Sequence, residues 1–267
     1  MVREKSKTEE RRQQIKKLLL TNNVVSIGSF CSLLNCSEST IRNDLKYMNE
    51  NGLITRTYGG AVLNENTRYN ISMNVRYEMH IAEKEALAQY IVEHILVNNS
   101  TITLDSGTTM VAIAKKILAS SLELTVITSS FAVAEVLSRT ANIDLYLAGG
   151  RLNHIKEAFI DQNSIDFIST MSSDLYLLSC DGIDVKKGVT IGAPEEVAIK
   201  AKMAENAKKT ICVVDGSKIG RVKLKEIFPI ETIQQLVTTS SADKTHIAAI
   251  EAAGLPVTLV AETPSEA

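Results

Sequence analysis

The sequence predicts an α/β protein in two parts, a short N-terminal segment that is mainly helical and a larger domain built on a mostly parallel sheet. Apolar residues recur at helical spacing near the N-terminus, whereas strand-like apolar runs alternate with helical stretches beyond about residue 100. Charge divides in the same way. Residues 1–62 hold 10 Lys and Arg against 6 Asp and Glu, and the remainder holds 19 against 25. A basic head on an acidic body favours a polyanionic partner for the head.

Composition is that of an ordinary globular protein, with 45% hydrophobic and 22% charged residues in a chain of 267. No apolar run approaches the ~20 residues that a membrane-spanning helix needs. The N-terminus is too charged for a secretory signal. We therefore expect a cytoplasmic protein with no membrane partner.

Metals and cofactors are not expected. The four cysteines form no paired CxxC element and have no histidine at zinc-ligand spacing, which favours small buried apolar roles: Cys31, Cys36, Cys180 and Cys212. No GxGxxG or GxxxxGK[ST] pattern occurs, so a nucleotide cofactor is disfavoured.

Three helices are predicted near the N-terminus. The first runs from Thr8, Ser26 can cap the second, and Ser37 can cap the third, which stops before Gly52. A three-residue turn, "NCS", joins the second helix to the third, and this is the helix-turn-helix arrangement. One face of the third helix is apolar at i, i+4 and i+7: Ile41, Leu45 and Met48.

The polar face of the third helix suits DNA, because a helix N-terminus attracts phosphate and polar side chains can reach base edges. The candidate DNA contacts on this helix are Ser37, Ser39, Thr40, Arg42, Asn43 and Lys46. The strand predicted from Leu53 to Tyr58, followed by a turn at Gly59-Gly60, would be the wing of a winged helix. It would carry Arg56 and Tyr58 to the DNA. A purely structural three-helix subdomain with a solvated face has the same periodicity.

"STIRNDLKYMNENGLITRTYGGAV" resembles the signature of the DeoR family of bacterial transcription regulators, S-x-x-T-I-R-R-D-L followed by G-L-x-R-x-H-G-G-A. Asn43 replaces the second arginine and Tyr58 replaces the histidine. Asparagine is well suited to an adenine edge, so the replacement bears on the preferred operator more than on binding itself. The resemblance implies that the head binds operator DNA.

The larger domain repeats strand and helix, which predicts a parallel sheet with helices on both faces. Its strands end in small or polar clusters, and ligands bind at the carboxyl ends of the strands in open α/β sheets. Glycine permits close backbone approach, and hydroxyls with helix N-termini can hold a phosphate. The candidate contacts from these clusters are Asp105, Gly107, Thr108, Thr109, Thr128, Ser129, Gly149, Gly150, Asp181 and Gly182.

This region also resembles the DeoR family, in its effector-sensing domain, whose fold is similar to ribose-5-phosphate isomerase. "LDSGTT", "LAGG", "DGID", "EEVAIKAKM" and "DGSKIG" carry the resemblance. It adds Glu196, Lys200 and Lys218 to the candidate effector contacts, and it implies a phosphorylated sugar as the effector. Ser129 stands where asparagine is usual, and Asp161 where glycine is common, so both could alter ligand choice.

A sugar-phosphate isomerase is the rival interpretation. Its chemistry needs a general base and a cation for the enediolate. Asp181, Asp184 or Glu196 could supply the base, and Lys200 or Lys218 the cation. The DNA-binding head, which an isomerase would not need, favours a regulator without catalysis. A scaffold with a vestigial pocket is a third alternative.

The predicted organisation is a winged helix-turn-helix domain over residues 1–63, a linker over 64–74, and a sensor and oligomerisation domain over 75–267. A helix is expected from Val75 to Leu96. A dimer, or a tetramer of such dimers, is expected because one short helix reads too few base pairs alone.

Overall fold

The computed structural model describes residues 2–22, 24–63 and 73–261. The chain forms two compact units, Met1–Val75 and Arg76–Ala267. Most of the predicted linker, residues 64–72, lies outside the described residues. The predicted domain limits therefore stay predictions.

Within residues 2–22 and 24–63, the first unit contains three helices and a small antiparallel sheet in the strand order β1-β3-β2. Its elements are α1 (Val2–Thr21), β1 (Val25–Ser26), α2 (Ile27–Leu34), α3 (Glu38–Glu50), β2 (Ile54–Thr57) and β3 (Gly60–Leu63). The predicted apolar face of α3 is buried: Ile41, Leu45 and Met48 are at most 1% exposed. They pack with Ile15 and Phe30 from the two preceding helices.

A tight turn sets the angle between α2 and α3. Asn35 ends α2 in the left-handed conformation at φ +48°, and its N–H bonds the carbonyl of Cys31. Ser37 then caps α3 by accepting a hydrogen bond from the Thr40 N–H at 3.3 Å. The predicted three-residue turn is confirmed, because a left-handed residue and a serine cap close one helix and open the next within it.

The turn of the wing lies one residue earlier than predicted. Tyr58 and Gly59 form it, and Gly60 already pairs with Thr57 in the β2–β3 ladder. A Cβ on Gly60 would come within 2.3 Å of the Val25 carbonyl oxygen. Gly60 is therefore required by the close approach of β1, and only Gly59, at φ +86°, serves the turn.

The second unit is an α/β domain. Its helices are α4 (Met73–Tyr77, which begins just before the unit), α5 (Ile81–His94), α6 (Thr108–Leu118), α7 (Phe131–Leu137), α8 (Gln162–Ser169), α9 (Val197–Glu205) and α10 (Lys244–Ala252). Its strands are β4 (Thr101–Leu104), β5 (Leu124–Thr128), β6 (Ile143–Leu147), β7 (Leu152–Asn153), β8 (Ala158–Phe159), β9 (Leu175–Leu178), β10 (Gly182–Asp184), β11 (Gly188–Ile191), β12 (Thr210–Val213), β13 (Lys225–Phe228), β14 (Gln235–Thr239) and β15 (Val257–Val260).

Seven strands form the main sheet in the order β15-β14-β12-β9-β4-β5-β6, and every neighbouring pair is parallel. Strands β10, β11 and β13 form a separate antiparallel sheet. Consecutive residues Leu177 and Leu178 belong to different core clusters, one covered by α5 to α7 and the other by α8 to α10. Since alternate strand residues face opposite sides, helices cover both faces of the sheet and the predicted fold class is confirmed.

The helix predicted from Val75 to Leu96 is wrong as a single element. It is interrupted between α4 and α5, where His80 takes φ +52°. The ammonium of Lys84, which is 6% exposed, bonds the carbonyls of Arg76 and Met79 at this break. Carbonyl groups that a continuing helix would satisfy are thus satisfied by a side chain.

None of the helices within residues 2–22, 24–63 and 73–261 has both the length and the apolar character needed to cross a lipid bilayer.

Candidate functional site

The polar face of α3 is presented to solvent as predicted. Arg42, Asn43 and Lys46 are exposed, Ser39 is exposed beside the cap, and Thr40 is half-buried. The polar side chains lie opposite the apolar stripe because helical periodicity separates the two faces. This is the geometry that a helix entering the major groove requires.

Several of these groups already have partners within α3. The Ser37 hydroxyl lies 3.0 Å from that of Ser39 and 2.8 Å from that of Thr40. The Arg42 Nε donates to the Glu38 carboxylate at 2.8 Å, and both side chains are about half exposed. Arg42 must therefore leave Glu38 to contact a base, which is a small cost because an exposed i,i+4 pair stabilises a helix by only ~0.3–0.5 kcal/mol.

Asp44 anchors α3 to α1, a role that the sequence analysis did not assign. Its carboxylate is 2% exposed and accepts from Arg11 Nε at 2.5 Å and Arg12 Nε at 3.0 Å. The Arg12 guanidinium also lies 3.6 Å from the centre of the Tyr47 ring. The adjacent arginines at the start of the α1 apolar stripe were the available signal. Asp44 fixes the rotation of α3 and so aims Arg42 and Asn43 outward.

The wing presents its two predicted contacts. Arg56 and Tyr58 are exposed, and Tyr58 at the turn is 109% exposed. The Arg56 N–H donates to the Asn49 side-chain oxygen at 3.3 Å, which ties the wing to the end of α3. An aromatic side chain at the tip and a cation on the strand suit contact with a nucleic-acid backbone.

The carboxyl ends of the central strands gather charged side chains in the second unit. Lys200 Nζ lies 2.6 Å from Asp105 and 3.7 Å from Glu196, and Lys156 Nζ lies 2.6 Å from Glu196. All four residues are buried. The structure therefore brings together the predicted Asp105, Glu196 and Lys200, but it places them beneath the surface and pairs them with one another.

The carboxylates around Lys200 favour the charged form of its ammonium group. Burial alone would lower the pKa of the Lys200 ammonium, but the nearby Asp105 and Glu196 carboxylates raise it above its ordinary value. Asp105 also accepts from the N–H groups of Ser106 and Ser179, both at 2.8 Å. These contacts hold the β4–α6 loop and the end of β9 together, so this ion pair has a structural role.

Asp181 and Lys218 are closer to solvent. Asp181 accepts from Arg76 Nη1 and from the Gly192 N–H, each at 3.0 Å. Burial would raise the pKa of Asp181, but Arg76 and other cations hold it well below its usual range. The Lys218 side chain is 29% exposed and lies 3.8 Å from Asp215. Arg76 was missed because it precedes the predicted strands.

Gly107 permits the loop that opens α6. It has φ +114°, and a Cβ there would lie 3.1 Å from the Ser179 hydroxyl oxygen. Helix α6 follows with Thr108, half-buried, and Thr109, buried. The free N–H groups of its first turn meet the same sheet edge as Asp105, an arrangement suited to an anion.

Thr128 and Ser129, two of the predicted contacts, are buried. The Thr128 hydroxyl, at 0% exposure, donates to the Leu104 carbonyl at 2.7 Å and accepts from the Ser130 N–H at 3.0 Å. The Ser129 carbonyl accepts from the Phe159 N–H at 2.8 Å. Both residues join neighbouring segments in the present structure.

The Gly149-Gly150 turn is exposed and is held by Asp161. The Asp161 carboxylate caps α8 through the Ser164 N–H at 3.2 Å and accepts from the Arg151 N–H at 2.8 Å. A Cβ on Gly150 would come within 2.3 Å of that carboxylate. Among the hydrogen bonds and ion pairs described for residues 73–261, none connects this turn to Asp105 or Asp181.

A groove of about 130 Å³ lies beside α5 and α6 and shares only Thr108 with the predicted contacts. Its lining residues are Tyr77, Ile81, Lys84, Glu85, Thr108, Val111, Ala112, Lys115 and Lys116. The converging charged side chains at the strand ends lie outside this groove, whose own charged lining residues include Lys84, Lys115 and Lys116. The ion pairs Arg76–Asp181 and Lys156–Glu196 lie at those strand ends.

Glu83 organises the turn that carries Lys218. Its carboxylate accepts from the Gly216 N–H at 3.2 Å, Thr239 Oγ1 at 2.5 Å and Ser241 Oγ at 2.8 Å. His80 lies 2.7 Å away on its other oxygen. His80, Glu83 and Asp215 place possible metal-ligand atoms within 4.8 Å of one another, but these hydrogen bonds and the nearby Lys218 account for the cluster.

Replacing Glu83 with glutamine is expected to make stability less dependent on pH in acid. Burial would raise the pKa of Glu83, but the hydrogen bond from His80 and those from two hydroxyls lower it to about 2 from 4.5. A depressed carboxyl pKa stabilises the fold above pH ~4.5, and that stabilisation is lost as the pH falls toward ~2. Urea unfolding should show a less stable E83Q protein at pH 7 and a shrinking difference below pH ~4.5. Glu85→Gln, an exposed change on the same helix, should show neither effect; a constant difference across this range would contradict the assignment.

A winged helix-turn-helix with an exposed polar helix, joined to an α/β domain with a charged cluster at its strand ends, defines a transcription regulator with a DNA-binding and a sensor domain. Comparisons with known proteins agree. Residues 11–67 match the DeoR-like helix-turn-helix domain, and residues 79–240 match the DeoR C-terminal sensor domain. The chain belongs to the DeoR family of transcription regulators.

Relatives match over nearly the whole length. The HTH-type transcriptional regulator GolR of Listeria innocua is 33% identical over 93% of this chain and 97% of its own. The glycerol-3-phosphate regulon repressor of Escherichia coli is 32% identical over 87% of this chain and 91% of its own. Among solved structures, ribose 5-phosphate isomerase A from Neisseria gonorrhoeae aligns with a TM-score of 0.37 at 17% identity over 53% of each chain.

Proposed function

We propose that this protein represses a sugar-utilisation operon and is released from its operator by a phosphorylated sugar bound at the strand ends of the sensor domain. The observation that carries the proposal is the exposed polar face of α3, held outward by the buried Asp44. Such a regulator acts on chromosomal DNA, so we propose that it works in the cytoplasm.

The effector site supports an anionic ligand. Arg76 and Lys218 retain solvent exposure at the rim, whereas the deeper Lys200 is enclosed by carboxylates. A phosphate would be held by the rim cations and the first turn of α6, and sugar hydroxyls would bond the carboxylate of Asp181. The repressor of the glycerol-3-phosphate regulon, a relative, supports a phosphorylated metabolite.

Fluorescence anisotropy tests the proposal. The purified chain is titrated onto labelled DNA from upstream of its own gene and neighbouring genes, at several salt concentrations because phosphate contacts make affinity salt-dependent. A panel of ribose 5-phosphate, fructose 6-phosphate, glucose 6-phosphate and glycerol 3-phosphate follows, with inorganic phosphate as the baseline. Sequence-selective binding that one sugar phosphate reverses is expected. If the protein binds none of this DNA selectively, the proposed regulatory function is wrong.

Catalysis is not part of the proposed function. A general base should be free and have a pKa near the working pH. Asp181 has a pKa held far below that range, and Glu196 is enclosed in ion pairs. Asp184 accepts hydrogen bonds from the Lys186 and Lys187 N–H groups at 2.8 and 3.1 Å. Proton NMR of ribose 5-phosphate with the protein should therefore show no conversion to the ketose.

We further propose that the protein binds DNA as a homodimer, alone or as part of a tetramer, because one short helix reads too few base pairs for a specific site. Sedimentation velocity on the free protein and its operator complex distinguishes two copies from four. A single copy on the operator would contradict this proposal.

Lys218→Gln is expected to weaken the response to the effector roughly tenfold, because one charge-assisted hydrogen bond to phosphate is worth ~1.5 kcal/mol or more. Operator affinity without effector should stay within about twofold of the unmodified protein. The readout is the concentration of the releasing sugar phosphate that dissociates half of the complex. Lys208→Gln, an exposed change in the same domain, is the matched control. Equal loss of operator binding and effector response would instead indicate a structural role for Lys218.

A further inference from the structure

Arg76 reaches the strand-end site from outside the sheet. It lies in the last turn of α4, and its Nη1 donates to Asp181 at 3.0 Å. Asp181 belongs to the predicted effector site, whereas Arg76 was assigned no role by sequence patterns. The two residues are 105 positions apart in the chain.

The guanidinium of Arg76 lies among several strand-end carboxylates. Asp181 raises its pKa most, against the effect of burial, and Glu196 and Asp215 raise it further. A guanidinium has five N–H donors, and the described hydrogen bonds of its side chain use one of them, toward Asp181. The remaining fork is suited to a phosphate, which it can bind through two parallel hydrogen bonds.

The short helix α4, which contains Arg76, is held by contacts with its neighbours. The Arg76 carbonyl, with that of Met79, accepts from the buried Lys84 ammonium. The Tyr77 hydroxyl donates to Glu157 at 2.9 Å. These contacts connect the backbone of α4 to α5 through Lys84, and its Tyr77 side chain to Glu157, so the guanidinium of Arg76 belongs to a short helix with defined neighbours.

In the sequence, α4 directly follows the segment that connects the two units. Arg76 is the fourth residue after the stretch 64–72, through which the sensor domain is covalently connected to the DNA-binding unit. A ligand shifts a conformational equilibrium only by binding one state better than the other. A contact between effector phosphate and Arg76 that replaces the Asp181 contact would supply this difference.

We propose that Arg76 binds the anionic group of the effector and couples its binding to the connection with the DNA-binding domain. The structure pairs Arg76 with Asp181. The effector phosphate takes the guanidinium, Asp181 accepts a sugar hydroxyl instead, and α4 shifts with Arg76. This inference rests on the proposed function, since it assigns the regulation of the same site.

The test is the ratio of operator dissociation constants with and without a saturating concentration of the releasing sugar phosphate from the panel. Allosteric ratios are commonly about 5–150-fold. Arg76→Gln should need roughly tenfold more sugar phosphate for saturation, which calorimetry measures. At saturation, this variant should still show a ratio of operator dissociation constants below about threefold. Arg76→Lys, which keeps a cation without the fork, should give an intermediate ratio.

Arg139→Gln is the matched control, because Arg139 is exposed in the same domain and pairs only loosely with Glu135 at 3.7 Å. It should leave the ratio unchanged. A full ratio in Arg76→Gln at saturation would overturn the role of Arg76 while leaving the repressor intact. Failure of the unmodified protein to respond to the whole panel would instead remove the proposed effector.

Hydrogen exchange on the unmodified protein gives an independent readout if the variant misfolds. The releasing sugar phosphate should change the exchange of backbone amides in residues 76–84, and inorganic phosphate at the same concentration should change it less. Unaltered exchange in this segment under saturating sugar phosphate would show that α4 does not take part in the response.

Discussion

Replacing Lys200 with methionine is expected to destabilise the sensor domain by on the order of 3–5 kcal/mol, because it removes one partner from a buried charge cluster. Lys200 is 1% exposed and bonds Asp105 at 2.6 Å, with Glu196 3.7 Å away. Methionine fills nearly the same volume, so the loss reports on charge more than on packing. Asp105 would keep two backbone N–H donors but no cation.

Urea unfolding followed by circular dichroism measures the effect, since the chain contains no tryptophan for fluorescence. Lys202→Met on the same helix is the control. Lys202 pairs with Glu205 at the surface, and an exposed pair is worth less than ~1 kcal/mol. The double variant with Asp105→Asn should recover part of the loss, because it removes the stranded carboxylate. A loss of unfolding free energy below ~1 kcal/mol in Lys200→Met alone would show that the fold does not depend on the charge of Lys200 beside Asp105.

The helix-turn-helix was predictable because its determinants are local. The Ser37 cap, the three-residue turn and the stripe of Ile41, Leu45 and Met48 all lie within one short segment, and the structure confirms each of them. The parallel sheet was predictable for a related reason. Repeated strand-then-helix order leaves few arrangements that bury both faces.

The break between α4 and α5 could not be read from periodicity. Apolar spacing continues through residues 75–96, and neither glycine nor proline marks the interruption. What stabilises it is the buried ammonium of Lys84 on two carbonyls, together with the left-handed His80. A hydrophobic pattern does not reveal such polar side-chain contacts. The roles of Arg76 and Glu83 were missed for the same reason.

The burial of each candidate effector contact could not be predicted from the sequence either. The resemblance grouped Glu196, Lys200 and Lys218 as effector contacts of one kind, and the structure separates them. Glu196 and Lys200 lie inside an ion-pair network, whereas Lys218 stays at the rim. Glu196 and Lys200 have partners 90 and 95 residues away in the chain, Ser106 and Asp105. The geometry of these contacts is set only when the strands assemble.

Replacing Arg42 with alanine is expected to weaken operator binding by on the order of 1–3 kcal/mol for each half-site, if Arg42 makes a two-bond contact to a base. In a dimer the loss applies to both copies. The ion pair with Glu38 offsets little of this, because both side chains are about half exposed. Glu38→Gln frees the guanidinium and should therefore leave operator binding unchanged or slightly tighter.

Salt separates a base contact from a phosphate contact. Lys46 is exposed on the same face of α3, and Lys46→Ala should weaken all DNA sequences alike and reduce the slope of log affinity against log salt by about 1 per half-site. Arg42→Ala should instead lower the ratio of operator to nonspecific affinity and leave that slope nearly unchanged. Anisotropy titrations on operator and scrambled DNA at four salt concentrations measure both the slope and the affinity ratio. If Arg42→Ala lowers the slope while keeping the ratio, Arg42 contacts the backbone, and the sequence is then read by its neighbours on α3, with Asn43 the first to replace.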